Sequence, residues 1–362
     1  MKLRHHLGCW LCACVVAGCT ACGVPGAPKP PSLNLPQPVS DLRAIRKGDA
    51  IFLTWTIPTR ATDSAAVRRI GATRVCRSNG QQIMGCPSAI GEIAAPAATP
   101  TAQPGSPRAR YTDTLPKALL SDDPSLRIWY AVSVANANGR SAGLSNIVTV
   151  PALPAPPPPT DFRVQVTADG VLLSWSGSAQ SNGTTPVRHI YRVYRREEGK
   201  TTDTVVGEMP FGKLRSYLLL DHSFEWEKTY FYRATVVTSL RATGQRELQF
   251  ESEDTAQVKV LVQDTFPPAA PSGLQAVFSG AGQQPFVDLS WAPDTDADLA
   301  GYNIYRREGD GELSKINSEL VKTPAFRDSK VVSRHTYLYA VSAVDTHGNE
   351  SPHSTEASEE VP

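Results

Sequence analysis

Between Cys22 and Cys76 the 362-residue chain has no cysteine, and after Cys86 it has none. Five of its seven cysteines lie between Cys9 and Cys22. No run of about 20 apolar residues occurs beyond the N-terminus, which excludes an internal transmembrane helix. Charge of either sign is not in excess: 36 Lys+Arg face 35 Asp+Glu, so no basic surface directs the chain to nucleic acid or anionic lipid. HExxH, GxSxG, Walker and GxGxxG motifs are all missing. His189, His222, His335, His347 and His353 form no i,i+4 pair and read as solvated loop residues. No long window has a 3.6-residue apolar period, which argues against a helical bundle. No catalytic residue, cofactor site or metal site is therefore expected, and the chain is read as a non-enzyme.

Proline, by contrast, is plentiful, with 30 residues. It clusters after Val24, in PALPAPPPPT (151–160) and in DTFPPAAP (264–271). Such segments favour extended, semi-rigid spacers, at about 3.1 Å per residue. They divide the chain into a leader (1–18), a tether (19–37) and three pieces of similar length (38–152, 153–263 and 264–362).

The leader opens on Lys2, Arg4, His5 and His6 and continues into the short apolar stretch Leu7–Gly18. That stretch is too short to span a bilayer but suits a secretory signal. The following Val16-Ala17-Gly18-Cys19 resembles the lipobox of bacterial lipoproteins, in which the cysteine is acylated and becomes the new N-terminus. Cys19 is the expected acylation site. Cys22 is the alternative; it has Cys19 in the aliphatic slot but leaves no spare thiol. The resemblance implies palmitate-type acylation, a lipid anchor without a spanning helix, and a place in the cell envelope outside the cytoplasm. The residue after the anchor is not Asp, which by the same resemblance favours the outer membrane. A zinc site is the weaker reading, because no later His or Cys stands at zinc-finger distance.

The three pieces repeat one pattern. Each opens with proline and a short alternating run: PVSDLRAI, PTDFRVQV, PSGLQAVF. Each then closes an apolar alternation on Trp55, Trp175 or Trp291, spaced 120 and 116 residues apart. Then come ATRVCR, YRVYRREEG and YNIYRREGD, and later IWYAVSVANANGRS, YFYRATVV and YLYAVSAVDTHGNES. Period-two alternation, β-branched and aromatic enrichment and Gly/Pro/Asn punctuation indicate short strands of antiparallel sandwiches. The placement of the aromatics resembles the fibronectin type III domain, most strongly in the third piece. The resemblance implies three tandem, immunoglobulin-like β-sandwiches, with the three tryptophans as core plugs. It also implies corner tyrosines at Tyr230 and Tyr337, whose hydroxyls bond back to backbone. The first piece has Ile128 there.

Cys76 stands where the other pieces have Tyr194 and Tyr305. A Ser-Asn-Gly turn before Cys86 suggests two cysteines facing across a hairpin, and an oxidising compartment suggests a Cys76–Cys86 disulfide. The Ala/Pro-rich stretch 89–110 reads as an exposed inserted loop. Asp294, Asp296 and Asp298 alternate, but Leu299 and Tyr305 occupy the EF-hand positions that need Gly and an acid, so a polar loop is expected there. Arg192, Arg195, Arg196 and Lys200, interleaved with Tyr191 and Tyr194, read as a solvated strand face. Trp129 and Trp226 are the candidate binding-surface residues, because an outward Trp suits an interface.

Two functions fit these features. One is a membrane-anchored extracytoplasmic rod that binds or spaces an envelope or extracellular protein. The other is an accessory that binds a polysaccharide or peptidoglycan.

Overall fold

The computed structural model describes residues 32–87, 89–96, 107–177, 187–212, 214–241, 247–280, 282 and 284–362. The leader, Cys19 and Cys22 lie outside the described residues. The first seven strands are β1 (Arg43–Lys47), β2 (Ala50–Thr56), β3 (Ile70–Asn79), β4 (Ala89–Ile93), β5 (Arg108–Thr114), β6 (Arg127–Asn136) and β7 (Val148–Pro151). Next come β8 (Thr160–Thr167), β9 (Gly170–Ser176), β10 (Val187–Glu197), β11 (Thr204–Pro210), β12 (Ser216–Asp221), β13 (Lys228–Leu240), β14 (Leu248–Glu251) and β15 (Val258–Val262). The last are β16 (Gln275–Ser279), β17 (Phe286–Ser290), β18 (Leu299–Glu308), β19 (Ser314–Lys315), β20 (Ala325–Asp328), β21 (His335–Asp345) and β22 (Ala357–Val361). One short 3-10 turn, Lys117–Leu119, is the only helical element among the described residues. The fold is all-β, as the period-two alternation requires.

The described residues gather into two compact units. The first holds the chain up to Arg43, with Thr54–Tyr111 and Trp129–Val148; the second holds Ala44–Leu53, Thr112–Ile128 and Thr149–Pro362. This division cuts across the first proline-bounded piece. A physical reason lies in β1, which pairs in parallel with β14 through Lys47 and Glu251 and so joins a sheet built from much later residues.

In the first unit β3 pairs with β4 in an antiparallel ladder. The stretch expected as a loop from 89 thus begins as a strand, and it ends inside β5; 97–106 lie outside the described residues. Gly91 is required in β4, because a Cβ there would meet the ring of Tyr111, whose hydroxyl donates to Ile90 O at 3.2 Å. Trp55, Val75, Tyr130, Val132 and Val134 are buried.

The second unit contains two complete sandwiches. In one, formed by the second proline-bounded piece and called the second sandwich below, the sheet β12–β9–β8 and the sheet carrying β11–β10–β13–β14, with β15 on β13, enclose one core. Its centre is Trp175, stacked on Tyr217 and edge-on to Tyr191, each at 5.7 Å. In the other, formed by the third piece and called the third sandwich below, sheets β16–β17–β20 and β19–β18–β21–β22 enclose Trp291, edge-on to Tyr302 at 5.1 Å. The alternation places these residues: Val171, Leu173 and Trp175 point inward from β9, and Tyr230, Tyr232, Ala234 and Val236 from β13. The indole N–H groups of Trp175 and Trp291 find no acceptor among the described residues, so the two rings are held by packing.

Both sandwiches share a braced corner. Tyr230 Oη accepts from Glu225 N at 3.1 Å and Tyr337 Oη from Val332 N at 3.0 Å. Three residues before each tyrosine, Glu227 (φ 60°) and Arg334 (φ 66°) adopt the left-handed conformation. Behind each corner is a buried aspartate. Asp221 Oδ2 accepts from Arg195 (2.6 Å) and Tyr232 Oη (3.0 Å), and Asp328 Oδ2 from Arg306 (2.7 Å) and Tyr339 Oη (3.1 Å). Burial, then the adjoining carboxylate, hold both tyrosine hydroxyls far above their ordinary pKa. Near Ile128 the chain is braced otherwise: Asp123 caps Ser125 N at 2.8 Å, and Arg127 donates to Pro124 O at 2.7 Å.

Candidate functional site

Cys76 and Cys86 are bonded, with Cα atoms 5.5 Å apart. They do not face each other across a hairpin, however. Cys76 pairs with Ala89 in the β3–β4 ladder, and Cys86 lies in the loop between the strands. The disulfide belongs to a small apolar cluster. Cys76, Ile83 and Ala131 are buried in it, and Cys86, Trp129, Leu144 and Ile147 pack against them. Trp129 is therefore half-buried over its own sheet and is no free-standing platform. Ile83 is 5% exposed, whereas the adjacent Met84 is 91% exposed.

Trp226 is also half-buried. It packs edge-on against Phe224 at 4.8 Å and approaches the His347 ring at 6.2 Å. His347 Nδ1 lies 3.1 Å from Asp264 Oδ2. Asp298 and Asp345 complete a group whose ligand-type atoms lie within 4.8 Å of one another. Asp345 Oδ1 accepts from His347 N (2.9 Å) and Asn349 N (2.8 Å), and Asn349 Nδ2 donates to Asp345 Oδ2 at 2.8 Å. Three carboxylates and an imidazole form a donor set that could hold a divalent cation. Of the alternating aspartates singled out in the sequence, only Asp298 joins this group. Asp294 instead caps Asp296 N at 2.9 Å, as a polar turn residue does. The sequence reading missed Asp264, Asp345 and His347. The sole available signal was acidic and histidine residues in two turn-rich stretches, QDTFPP and VDTHGN.

The strand HIYRVYRREEGK is not a simply solvated face. Arg192 pairs with Glu208 (2.6 Å) and Glu251 (3.4 Å), and Glu251 also accepts from Tyr194 Oη. Lys47 pairs with Asp254 (2.6 Å) and Glu251 (3.4 Å). Arg233 bonds Asp254 and Asp203 and lies 4.2 Å over the Tyr194 ring. Burial, then the Glu251 carboxylate, raise the pKa of Tyr194. Beside this ion network is a cavity of about 330 Å³, walled by Ile45, Arg46, Val237, Gln249 and Phe250. Arg46 lies 4.4 Å over Phe250 and donates to Pro151 O at 2.6 Å. His189, expected as a loop residue, sits in β10 against Phe211 (5.3 Å) and Thr238 Oγ1 (3.0 Å), and its burial lowers its pKa.

On the third sandwich the corresponding outer position is closed. Glu350 Oε1 accepts from Asn303 Nδ2 (2.9 Å), Tyr305 Oη (2.6 Å) and Ser342 Oγ. Burial acts to raise the Glu350 pKa, but these hydrogen bonds outweigh it and lower it.

No protein-family model matches the chain. Over 96 residues it is 45% identical to an amylopullulanase of Thermoanaerobacterium thermosulfurigenes, covering 26% of this chain and 5% of that protein. Over 90 residues it is 46% identical to an amylopullulanase of Thermoanaerobacterium saccharolyticum, covering 25% and 6%. The chain thus spans about a twentieth of the length of the curated relatives it matches. Among solved structures it is similar to an Fn3-like protein from Clostridium thermocellum, at 30% identity and a TM-score of 0.23, covering 27% of this chain and 96% of that one. It is also similar to the chicken CNTN1 FN1–FN3 domains, at 14% identity and a TM-score of 0.26, covering 90% and 98%. With its paired sheets, tryptophan cores and tyrosine corners, the chain is built from fibronectin type III-like β-sandwiches.

Proposed function

We propose that the protein is a non-catalytic, lipid-anchored component of the cell envelope whose sandwiches bind or space a partner protein. The anchor is Cys19, with Cys22 as the alternative, and the outer membrane is the favoured site. One observation carries the non-catalytic part: the matched region makes up only 5–6% of each much larger amylopullulanase, as an accessory module would. The experiment is in-cell crosslinking of the full-length, membrane-bound protein, with mass spectrometry of the adducts and of the N-terminal peptide. A discrete protein adduct and an acylated cysteine are expected. An unacylated N-terminus overturns the anchor, and recovery of glycan alone overturns the protein partner.

A second reading, a polysaccharide-binding accessory, is favoured by the relatives' name, which points to a pullulan-type glucan. Against it, Trp129 and Trp226 are half-buried on their own chain, and among the described residues the exposed large hydrophobic side chains include one aromatic, Phe52 at 42%. A glycan array that includes pullulan and peptidoglycan fragments separates the two readings.

A further inference from the structure

We infer that the cavity between β1 and β14 is a binding pocket for a small monoanion, a carboxylate carried on a short apolar body. The inference goes beyond the reading above, since a lipid-anchored rod can bind or space a protein with or without this pocket.

The pocket exists because two strands from different pieces meet at a single point. Among the described residues β1 and β14 pair only through Lys47 and Glu251, where Gly48 N donates to Glu251 O at 2.7 Å. N-terminal to that point the two strands form no ladder, and residues 44–46 and 248–250 line the two sides of the cavity of about 330 Å³. A volume of that size is in the range of small-ligand sites. The lining fixes the chemistry of the occupant. Its charged residues are Arg46, Arg192 and Glu251, two guanidiniums against one carboxylate, so the wall carries a net of one positive charge. The Glu251 carboxylate is itself engaged by Arg192 (3.4 Å), Lys47 (3.4 Å) and Tyr194 Oη. Arg46 is 3% exposed and fixed in place: Nε donates to Gly48 O at 2.9 Å, Nη1 donates to Pro151 O at 2.6 Å, and the group lies 4.4 Å over Phe250. It also pairs with Asp49 at 3.8 Å. A planar guanidinium oriented in advance suits a carboxylate, and little freedom is lost when the anion arrives. Ile45, Val237, Leu248 and Phe250 make the rest of the wall apolar, which matches an apolar body beside the anion rather than a bare inorganic ion. A neutral glucan supplies no charge to match the wall, and a dianionic phosphate ester supplies more than the wall balances.

The test is methyl NMR on the full-length chain, titrated with isocaproate or N-acetyl-leucine and, as neutral controls, with isocaproamide and N-acetyl-leucinamide. Both acids are expected to shift the methyls of Ile45, Val237 and Leu248, and each amide should bind at least about tenfold more weakly than its acid. The Arg192 side chain is 20% exposed, so Arg192→Gln should leave the fold intact and weaken acid binding about fivefold or more. Ala44 shares a strand face with Arg46, so Ala44→Phe fills the gap and should abolish binding. Tighter binding of isocaproate than of N-acetyl-leucine assigns the pocket to a free small acid, and the reverse order assigns it to the carboxyl terminus of a peptide; either supports the site. Equal affinity for acid and amide overturns the inference. So does acid binding that neither variant weakens, or the absence of any shift at these methyls. Each of these results leaves the protein-binding reading standing, because the crosslinking experiment decides that separately.

Discussion

Asp221→Ala should destabilise the second sandwich far more than the loss of any one of its hydrogen-bonding partners. Asp221 is 2% exposed, and its two oxygens take four bonds: Arg195 (2.6 Å), Tyr232 Oη (3.0 Å), Ser223 N (2.8 Å) and Ser223 Oγ (2.7 Å). Without the carboxylate, the Arg195 guanidinium loses its ion-pair partner and is left with weaker contacts, among them Ser223 O (2.9 Å), Ser223 Oγ (3.2 Å) and the Tyr230 face at 5.0 Å. The Tyr232 hydroxyl, on a residue 0% exposed, loses its acceptor. Removing one side of a buried ion pair costs about 3–5 kcal/mol. The Arg195 side chain is 11% exposed, so water recovers part of that, and the low end of the range, about 3 kcal/mol, is expected. Tyr232→Phe removes one neutral donor and leaves Asp221 with three others, so it should cost about 0.5–1.5 kcal/mol. Against a domain stability of about 5–15 kcal/mol, the first change is large and the second is not. The assay is hydrogen exchange by mass spectrometry on the full-length chain across a urea series, following β9, β10 and β13. Asp328→Ala repeats the test in the third sandwich, where Arg306 is 24% exposed, so its cost should be the smaller of the two. If Asp221→Ala falls within about 1 kcal/mol of the parent, or Tyr232→Phe costs as much, the buried-pair reasoning is wrong.

Three further outcomes follow from the same geometry. Cys76→Ser/Cys86→Ser should lower the stability of the first unit by about 2–3 kcal/mol in urea unfolding, since the closed loop is short; a change under about 1 kcal/mol would place the effect in native-state strain instead. Glu350 is exposed, so water screens its bonds and Glu350→Gln should cost no more than about 0.5 kcal/mol near neutral pH, and the cost should disappear in acid: the folded-state pKa is lowered, so its stabilisation is present above the ordinary value of 4.5 and is lost as pH falls through the lower folded value. An acid-insensitive difference between Glu350→Gln and the parent would contradict this. In chelator-treated protein, Asp298→Asn should raise the melting temperature, because it relieves repulsion among carboxylates that no lysine or arginine pairs with among the described residues; a lowered melting temperature would show that Asp298 is attractive where it sits.

Much of the fold was legible because it is local. Alternation over five to seven residues is enough to turn Trp55, Trp175 and Trp291 inward, and a tyrosine three residues past the corner is enough to announce Tyr230 and Tyr337. What was not legible depends on distant residues. Nothing near Lys47 in the sequence says that it will pair with Glu251, so the sorting of β1 into the second unit was out of reach. Asp264 and Asp345 stand in separate turns that only the folded chain joins. Composition also misled in one place: AIGEI carries no clear alternation, and the Ala/Pro-rich sequence after it made the whole of 89–110 read as a loop, although Ala89–Ile93 pairs with β3. Trp129 belongs to a separate small cluster with Ile83, whereas Trp226 packs against the Trp175 core and approaches His347, neighbours that period-two arguments do not see.

The position just before the corner-facing arginine makes the same point within the chain itself. Tyr194 and Tyr305 begin the same motif, YRRE, and both hydroxyls donate to a glutamate, Glu251 in one sandwich and Glu350 in the other. The glutamates nevertheless do different things. Glu350 spends its bound oxygen on Asn303, Tyr305 and Ser342 of its own sandwich, and the face closes on itself. Glu251 has Arg192 where the third sandwich has Asn303, and it reaches out to Lys47 on β1. At the equivalent place before Arg77 the first piece has no tyrosine at all, and Cys76 there ties down a loop that turns Met84 outward. The second and third sandwiches keep one inward solution, tryptophan against tyrosine with a buried aspartate behind the corner, while this single outward position is used in three ways. What distinguishes the pieces therefore includes this position, where Cys in place of Tyr, or Arg in place of Asn two residues earlier, changes which groups the side chains beside it hold.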